Sequence, residues 1–442
     1  MSTSKFNVHS KELDQFLASK EDGVFYVGHA SILVRLNGRK FLFDPVFERP
    51  PYLESWIFYP SQVLDTRLLD VDAVVVSHCH QDHFDTDFLK HLNPKTKIYI
   101  VGGRPEFLAM FKAAGIEVNE IPPGKKYGLG DGVEIYGVLH EYNTIDSSTI
   151  IKNSNLSVYH GNDNYVTKKT LVPMREAMGA VDVGCVPFSF IHWYPFLLEG
   201  LDEAWKASEA KRLIEKYLDL GIQQAQSLGA GLIIPFGANL VYHDDANSVM
   251  NKSVLSPIDF VEYTYSKLSR DEANRYKPMF AGDMILKSPG KNMEVFCKPR
   301  TKAEFIDQLQ IYLQDKKNQS KLNTQVSVDT SLLKDMRWLE NKLKSKNMET
   351  VDHDIRITTL GLAPDSNPIK IEVNLSDYSV KSVANWTPGR KYHCFKVEPI
   401  ALNPWLRNEI SFEEVIGTRR FRVERAPNEY NLKVIEILNN AL

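Results

Sequence analysis

The sequence predicts a mixed α/β fold with a smaller α+β tail, in which helices cover the outer faces of layered sheets. Three observations carry this expectation. Short β-branched and aromatic runs broken by turns fill the stretch from Phe25 to Asp182. Two apolar runs, Ala73-Val74-Val75-Val76 and Gly231-Leu232-Ile233-Ile234-Pro235, are continuous, as strands buried on both faces are. Between these two runs lies an amphipathic stretch, 202–228, with Ala207, Ala210, Ile214, Tyr217, Leu218, Ile222 and Ala225 at helical spacing and Gly229 as a stop.

In chain order, Phe25-Tyr26-Val27 and the run 31–36 lead through Asn37-Gly38 into 40–43, and an Asn-Gly between two such runs signals a hairpin. The buried run at Ala73 is followed by a short helix at 85–92, a strand at 97–101 and a helix at 105–114 closed by Gly115. Strands follow at 134–140, 149–151, 156–160 and 181–186. A helix over 301–315 presents Phe305, Leu309 and Leu313, and the polar run 316–327 reads as a linker. The tail then offers a helix at 331–345, alternating strands at 355–359 and 369–375, and Ser411-Phe412-Glu413-Glu414 as a capping box opening a helix. This divides the 442 residues into 1–300 as the main domain, 301–330 as helix and linker, and 331–442 as a small α+β domain.

Composition excludes several classes. With 43% hydrophobic and 25% charged residues the chain is an ordinary globular one. Its 53 basic and 56 acidic residues leave a net charge of −3, no footprint for nucleic acid. The four cysteines form no C-x-x-C pair, and no run approaches the length of a membrane span. The polar opening MSTSKFNVHSKELDQF has no secretory core, so a cytoplasmic location is expected.

The chemistry concentrates in Ser77-His78-Cys79-His80-Gln81-Asp82-His83, directly after a buried strand. Loops at strand ends are where folds carry function. Imidazole nitrogens and a carboxylate suit zinc, iron or manganese. Alternate spacing lets His78 and His80 point the same way, while Asp82 and His83 can turn toward a second position. Elsewhere, the 124–131 stretch (GKKYGLGD) lacks Walker spacing, and Val101-Gly102-Gly103-Arg104 completes no dinucleotide motif. An aromatic loop, Ile191-His192-Trp193-Tyr194-Pro195-Phe196, offers His192, Trp193 and Tyr194 as pocket lining.

His78, His80, Asp82 and His83 match, residue for residue, the H-x-H-x-D-H motif of the metallo-β-lactamase fold superfamily, which this sequence resembles. The resemblance implies a four-layer αββα sandwich and two divalent metal ions. It implies that His78, His80 and His140 bind one ion, that Asp82, His83 and His243 bind the other, and that Asp163 lies between them. His160 and His192 compete with His243 for the last place. Gly28-His29-Ala30-Ser31 is similar to a G-H-A-S of the branch containing N-acylphosphatidylethanolamine phospholipase D and the CMP-N-acetylneuraminate hydroxylases. Phe41-Leu42-Phe43-Asp44-Pro45 resembles the family strand whose Asp orients the histidine loop. The stretches 235–247 (PFGANLVYHDDAN) and 411–431 (SFEEVIGTRRFRVERAPNEYN) extend the likeness toward the hydroxylases.

Those hydroxylases carry a Rieske domain needing paired C-x-H and C-x-x-H groups, and no such pair stands here. The expectation is therefore a dinuclear hydrolase of an ester, thioester or phosphoester bond in a polar small molecule, with Asp82 and Asp163 holding or accepting a proton. The alternative is a diiron oxygenase using dioxygen and an external electron donor.

Overall fold

The computed structural model describes residues 9–441 apart from 49, 141–145, 164, 189, 191, 238–239, 243, 245–246, 321–325, 361–367 and 430, and the side chains of 439–441. Two large sheets face each other. The first runs, in spatial order, Glu294–Phe296, Met284–Lys287, Asp22–Gly28, Ser31–Leu36, Arg39–Phe43, Ala73–Val76, Lys97–Val101 and Asn119–Ile121. The second runs Leu232–Phe236, Val183–Pro187, Ser157–His160, Ser147–Lys152, Val133–Leu139 and Lys126–Gly130. Each sheet is parallel at the end fed by helical crossovers and antiparallel where hairpins suffice.

Strand periodicity sorts the side chains into layers. Val24, Tyr26, Ala73 and Val75 point between the sheets and meet Ile135, Ile151, Val158, Val183 and Ile234 of the opposite sheet. Their neighbours Phe25, Val27, Val74 and Val76 point outward, against Leu13, Phe16, Phe88, Phe107 and Phe111 from the covering helices. On the far side Ile150, Tyr159, Val186 and Ile233 pack under Leu171, Met174, Leu218, Ile222 and Phe260. That is the four-layer αββα arrangement. Because the run at Ala73 is buried on both faces, it reads in sequence as continuous rather than alternating.

The expected hairpin forms, with Leu36 paired to Arg39 across Asn37 (φ 51) and Gly38 (φ 80). A second one was hidden in the lysine-rich 124–131 stretch: Lys126–Gly130 pairs with Val133–Leu139 across Asp131-Gly132, both at positive φ. The helix Glu203–Leu228 is capped by Asp202, whose carboxylate accepts from Trp205 N–H. Its first turns bury the stem of Lys206 rather than Ala207. The helix Lys302–Gln319 runs four residues into the expected linker, because Lys316 and Lys317 suit a helix C-terminus. The expected helix 331–345 is instead a 3-10 turn, Thr330–Lys334, and a helix, Arg337–Ser345. They are separated at Asp335, whose side chain bonds Arg337 N–H.

The tail forms a five-stranded sheet in the order Ser379–Ser382, Lys370–Asn374, Asp354–Thr359, Tyr392–Val397 and Phe421–Ala426. The helices Pro399–Leu406 and Phe412–Gly417 lie on it, and the second opens on the expected Ser411–Glu414 capping box. Its core is shared with the first unit: Trp56, Trp193, Leu197, Leu240 and Tyr242 belong to the same apolar cluster as Ile357, Phe395, Trp405, Phe412 and Val423. The aromatic loop also lends backbone, with Glu199 N–H bonding the Val423 carbonyl at 2.8 Å.

Candidate metal centre

The strands Arg39–Phe43 and Ala73–Val76 pair in parallel, Phe43 opposite Val75, so their C-terminal ends lie side by side. One ends at Asp44 and the other opens into the loop 77–83. Asp44 is buried and accepts at both oxygens. Oδ1 takes the Ser77 backbone N–H at 2.7 Å; Oδ2 takes the Ser77 hydroxyl at 2.6 Å and His83 Nδ1–H at 2.8 Å.

Proton accounting then fixes the tautomers. The single Ser77 hydroxyl proton goes to Asp44, so the Ser77 oxygen accepts from His78 Nδ1–H at 3.0 Å. His78 Nε2 is left with a bare lone pair. His80 Nε2–H donates to Glu413 Oε1 at 3.2 Å, so in the neutral ring His80 Nδ1 is bare as well. These two nitrogens face each other at 2.7 Å. Two lone pairs at that distance repel unless a positive charge lies on or between them. His83 repeats the pattern: with Nδ1–H given to Asp44, its buried Nε2 makes no hydrogen bond and lies 3.3 Å from Asp82 Oδ2 and 3.6 Å from Asp163 Oδ2.

With protons alone the same demand shows in the titration. Burial opposes a charge on His80, but Glu413, Asp146 and Asp82 outweigh it and hold the ring up at about 9. Burial opposes a charge on His83 too, and Asp82 and Asp163 outweigh it, lifting that ring well above its ordinary value. Burial would raise Asp82 and Asp163; His83 chiefly holds both well below the ordinary carboxylate range. His78 is pushed far down by burial and by its two neighbouring rings. The cluster thus sets two ionised carboxylates among three imidazoles, residue types that could hold zinc, iron or manganese.

Among the described residues three sets of donor atoms lie within 4.8 Å of one another: His78, His80 and Asp146; His78, His83 and Asp163; His29, Asp82 and His83. Asp163 faces both sides, with Oδ1 3.9 Å from His78 Nε2 and Oδ2 3.6 Å from His83 Nε2. His29 approaches Asp82 Oδ2 at 3.2 Å.

Other sequence candidates stand elsewhere. His140 is not drawn into the cluster: its Nε2–H donates to the Tyr165 carbonyl at 2.9 Å. His160 stacks on Phe43 with Nε2–H on the Ala30 carbonyl, 3.9 Å from Asp44. His192 accepts from Tyr194 N–H and lies beside Phe190 and Trp193. Trp193 and Tyr194 face the tail: Trp193 meets Phe421, and Arg425 lies over the Tyr194 ring. His243 falls outside the described residues.

Three residues at the site were not foreseen. Asp146 stands 3.6 Å from His78 Nε2, and burial, then Asp163, pushes its carboxyl up to about 7. It precedes the strand Ser147–Lys152 and belongs to no motif. Tyr52 is buried, with its phenol pushed well up by burial, then by Asp82 and Glu413. Glu413 was visible only as an interior position of the capping box.

Residues 39–218 match the family described as the beta-lactamase superfamily domain. Cytidine monophosphate-N-acetylneuraminic acid hydroxylase of Danio rerio is 26% identical over 237 residues, covering 50% of this chain and 39% of that protein. N-acyl-phosphatidylethanolamine-hydrolyzing phospholipase D 1 of Caenorhabditis elegans is 35% identical over 114 residues, 24% of this chain and 32% of that protein. Igni18, a metallo hydrolase of Ignicoccus hospitalis, is a solved structure with a TM-score of 0.42 and 17% identity, covering 61% of this chain and 99% of that one. The chain spans less than half the length of the curated relatives it matches.

Proposed function

From a chain whose residues 39–218 are a beta-lactamase superfamily domain of metallo-β-lactamase fold, related to the cytidine monophosphate-N-acetylneuraminic acid hydroxylases, we propose a dinuclear metal-dependent hydrolase. Its substrate is a polar small molecule with an ester, thioester or phosphoester bond. The observation that carries the proposal is the pair of imidazole nitrogens, His78 Nε2 and His80 Nδ1, facing each other at 2.7 Å beside Asp146 and Asp163.

In this reading His78 and His80 hold one ion with Asp146 as the nearest carboxylate, Asp82 and His83 hold the other, and Asp163 serves both. His243 is proposed as the last ligand of the second position, and His140, whose Nε2–H rests on the Tyr165 carbonyl, would join the first through its Nδ1. When bound, two such ions polarise a scissile carbonyl or phosphoryl oxygen and bring the pKa of a water toward neutrality. Asp44 holds the tautomers of His83 directly and of His78 through Ser77. Asp82 and Asp163, both held ionised chiefly by His83, are the carboxylates proposed to hold or accept a proton. Burial of His78, Asp82 and His83 keeps bulk water from screening these charges.

A second reading is a diiron oxygenase supplied by an external electron donor. The hydroxylase relative favours it, and the carboxylate Asp146 beside His78 is compatible with iron as it is with zinc. No helix among the described residues is long and apolar enough to cross a membrane; a cytoplasmic site of action is part of the proposal.

One experiment separates the readings. Zinc- or manganese-loaded protein is assayed under strict anaerobiosis on a panel of esters, thioesters and phosphodiesters, beside iron-loaded protein with dioxygen and a chemical reductant. Turnover without oxygen is the expected result, and it is abolished in His78→Ala and His80→Ala with loss of at least one metal equivalent. Oxygen uptake matched to product by the iron form alone would replace the hydrolase with the oxygenase.

A further inference from the structure

We propose that Glu413, carried by the C-terminal unit, is a positioning residue of the metal centre: by accepting His80 Nε2–H it holds the His80 Nδ1 lone pair toward the first ion. The inference rests on the metal reading above, and it makes the tail a working part of the site.

The contact is built rather than incidental. Glu413 Oε1 is 3.2 Å from His80 Nε2, the nitrogen turned away from His78. An imidazole that binds a metal through one nitrogen is steered by what its other nitrogen meets, most often a carboxylate or a carbonyl. For His78 that partner is Ser77 backed by Asp44, and for His83 it is Asp44 itself. His80 has Glu413 in the equivalent place, from a residue 333 positions further along the chain.

The helix Phe412–Gly417 is held in place by contacts that do not involve Glu413. Glu414 takes the two remaining tasks: Oε2 accepts the Ser411 backbone N–H at 2.8 Å, and Oε1 accepts from Gln81 Nε2–H at 2.8 Å. Gln81 in turn accepts Tyr52 N–H at 2.7 Å, which clamps the metal loop between two segments. Trp56 Nε1–H donates to the Gly417 carbonyl at 2.8 Å. A Cβ at Gly417 would lie 2.3 Å from the Tyr52 ring, so only glycine lets the helix come this close. Glu413 is thereby aimed at His80 while its own side chain stays partly exposed.

The test compares Glu413→Ala, Glu413→Gln and Glu414→Ala in the full chain, with His78→Ala as reference. Metal affinity is read by competition with a chelator, ligand geometry by the absorption spectrum of the cobalt(II) form, and docking of the tail by the melting temperature of the metal-free protein. Glu413→Ala should weaken one of the two ions about 10- to 100-fold and alter the cobalt spectrum, with a smaller fall in melting temperature than Glu414→Ala. Glu413→Gln, which keeps an acceptor oxygen, should recover most of that loss. Glu414→Ala should lower the melting temperature and, because it loosens the helix that aims Glu413 and the Gln81 contact, weaken the same ion, but less than Glu413→Ala does. Wild-type affinity in Glu413→Ala, or a loss no larger than that of Glu414→Ala, overturns the inference. Retention of both ions by His78→Ala would instead overturn the metal reading on which it rests.

Discussion

Asp44→Asn is the most informative small change at the site. The carboxylate receives three hydrogen bonds from buried donors, one at Oδ1 and two at Oδ2. An asparagine has one acceptor oxygen and one donating NH2. With its oxygen toward Ser77 Oγ and His83, its NH2 meets the Ser77 backbone N–H and leaves that buried donor unpaired. With the amide turned over, the NH2 meets the Ser77 hydroxyl and His83 Nδ1, and the imidazole must shift its proton to Nε2, the atom aimed at Asp82 and Asp163. The first arrangement costs about 1–3 kcal/mol for the orphaned donor, and the second also spoils a ligand. Urea unfolding of the chelator-treated variant should therefore show a loss of about 1–3 kcal/mol at unchanged slope. Metal affinity should fall about 10- to 100-fold. Stability within about 0.5 kcal/mol of wild type, with unaltered metal binding, would refute the tautomer argument.

Three further outcomes follow from the same geometry. Asp163→Ala should deplete both ions in elemental analysis, because each carboxylate oxygen faces a different histidine; loss of one ion only makes it a terminal ligand. In metal-free protein the raised pKa of His80 contributes stability that is full below its ordinary 6.5 and is lost as pH climbs through about 9, and His83, also raised, acts in the same direction. The melting temperature in chelator should fall over that interval, while metal-loaded protein, whose ions replace those protons, should not show the fall. Gly417→Ala forces a Cβ to within 2.3 Å of the Tyr52 ring and should cost about 1–3 kcal/mol, read by thermal unfolding; a neutral result would mean that the helix can retreat freely.

Much of the fold was legible because it follows from local rules. The continuous run at Ala73 announced a strand buried on both faces, and Asn37-Gly38 announced its hairpin, since both signals are contained in a few consecutive residues. The second hairpin was missed because Asp131-Gly132 is flanked by Lys126-Tyr127-Gly128-Leu129-Gly130, a strand poor in β-branched residues that leans on its partner Val133–Leu139 for its conformation. The short loop from His78 to His83 could be read for the same reason as the first hairpin: its donors are packed into six residues. Asp146 and Glu413 could not be read, because nothing in their own neighbourhoods marks them. Asp146 is defined by the approach of the second sheet to the first, and Glu413 by the docking of the tail. His140 was placed at the end of a strand correctly, but the direction of its ring depends on Tyr165, which sequence order does not reveal.

The separation of 333 positions between His80 and Glu413 also sets an order in time. At about 5–20 residues per second of synthesis, the ribosome delivers Glu413 roughly 20 to 70 s after His80. The sheets that carry the histidine loop can close during that interval, since their strands lie upstream of residue 297. For that period His80 lacks the Glu413 acceptor for its Nε2–H. If the centre holds metal as proposed, it is completed only when the helix Phe412–Gly417 docks, and a nascent chain stalled near residue 400 would lack the residue that steers His80.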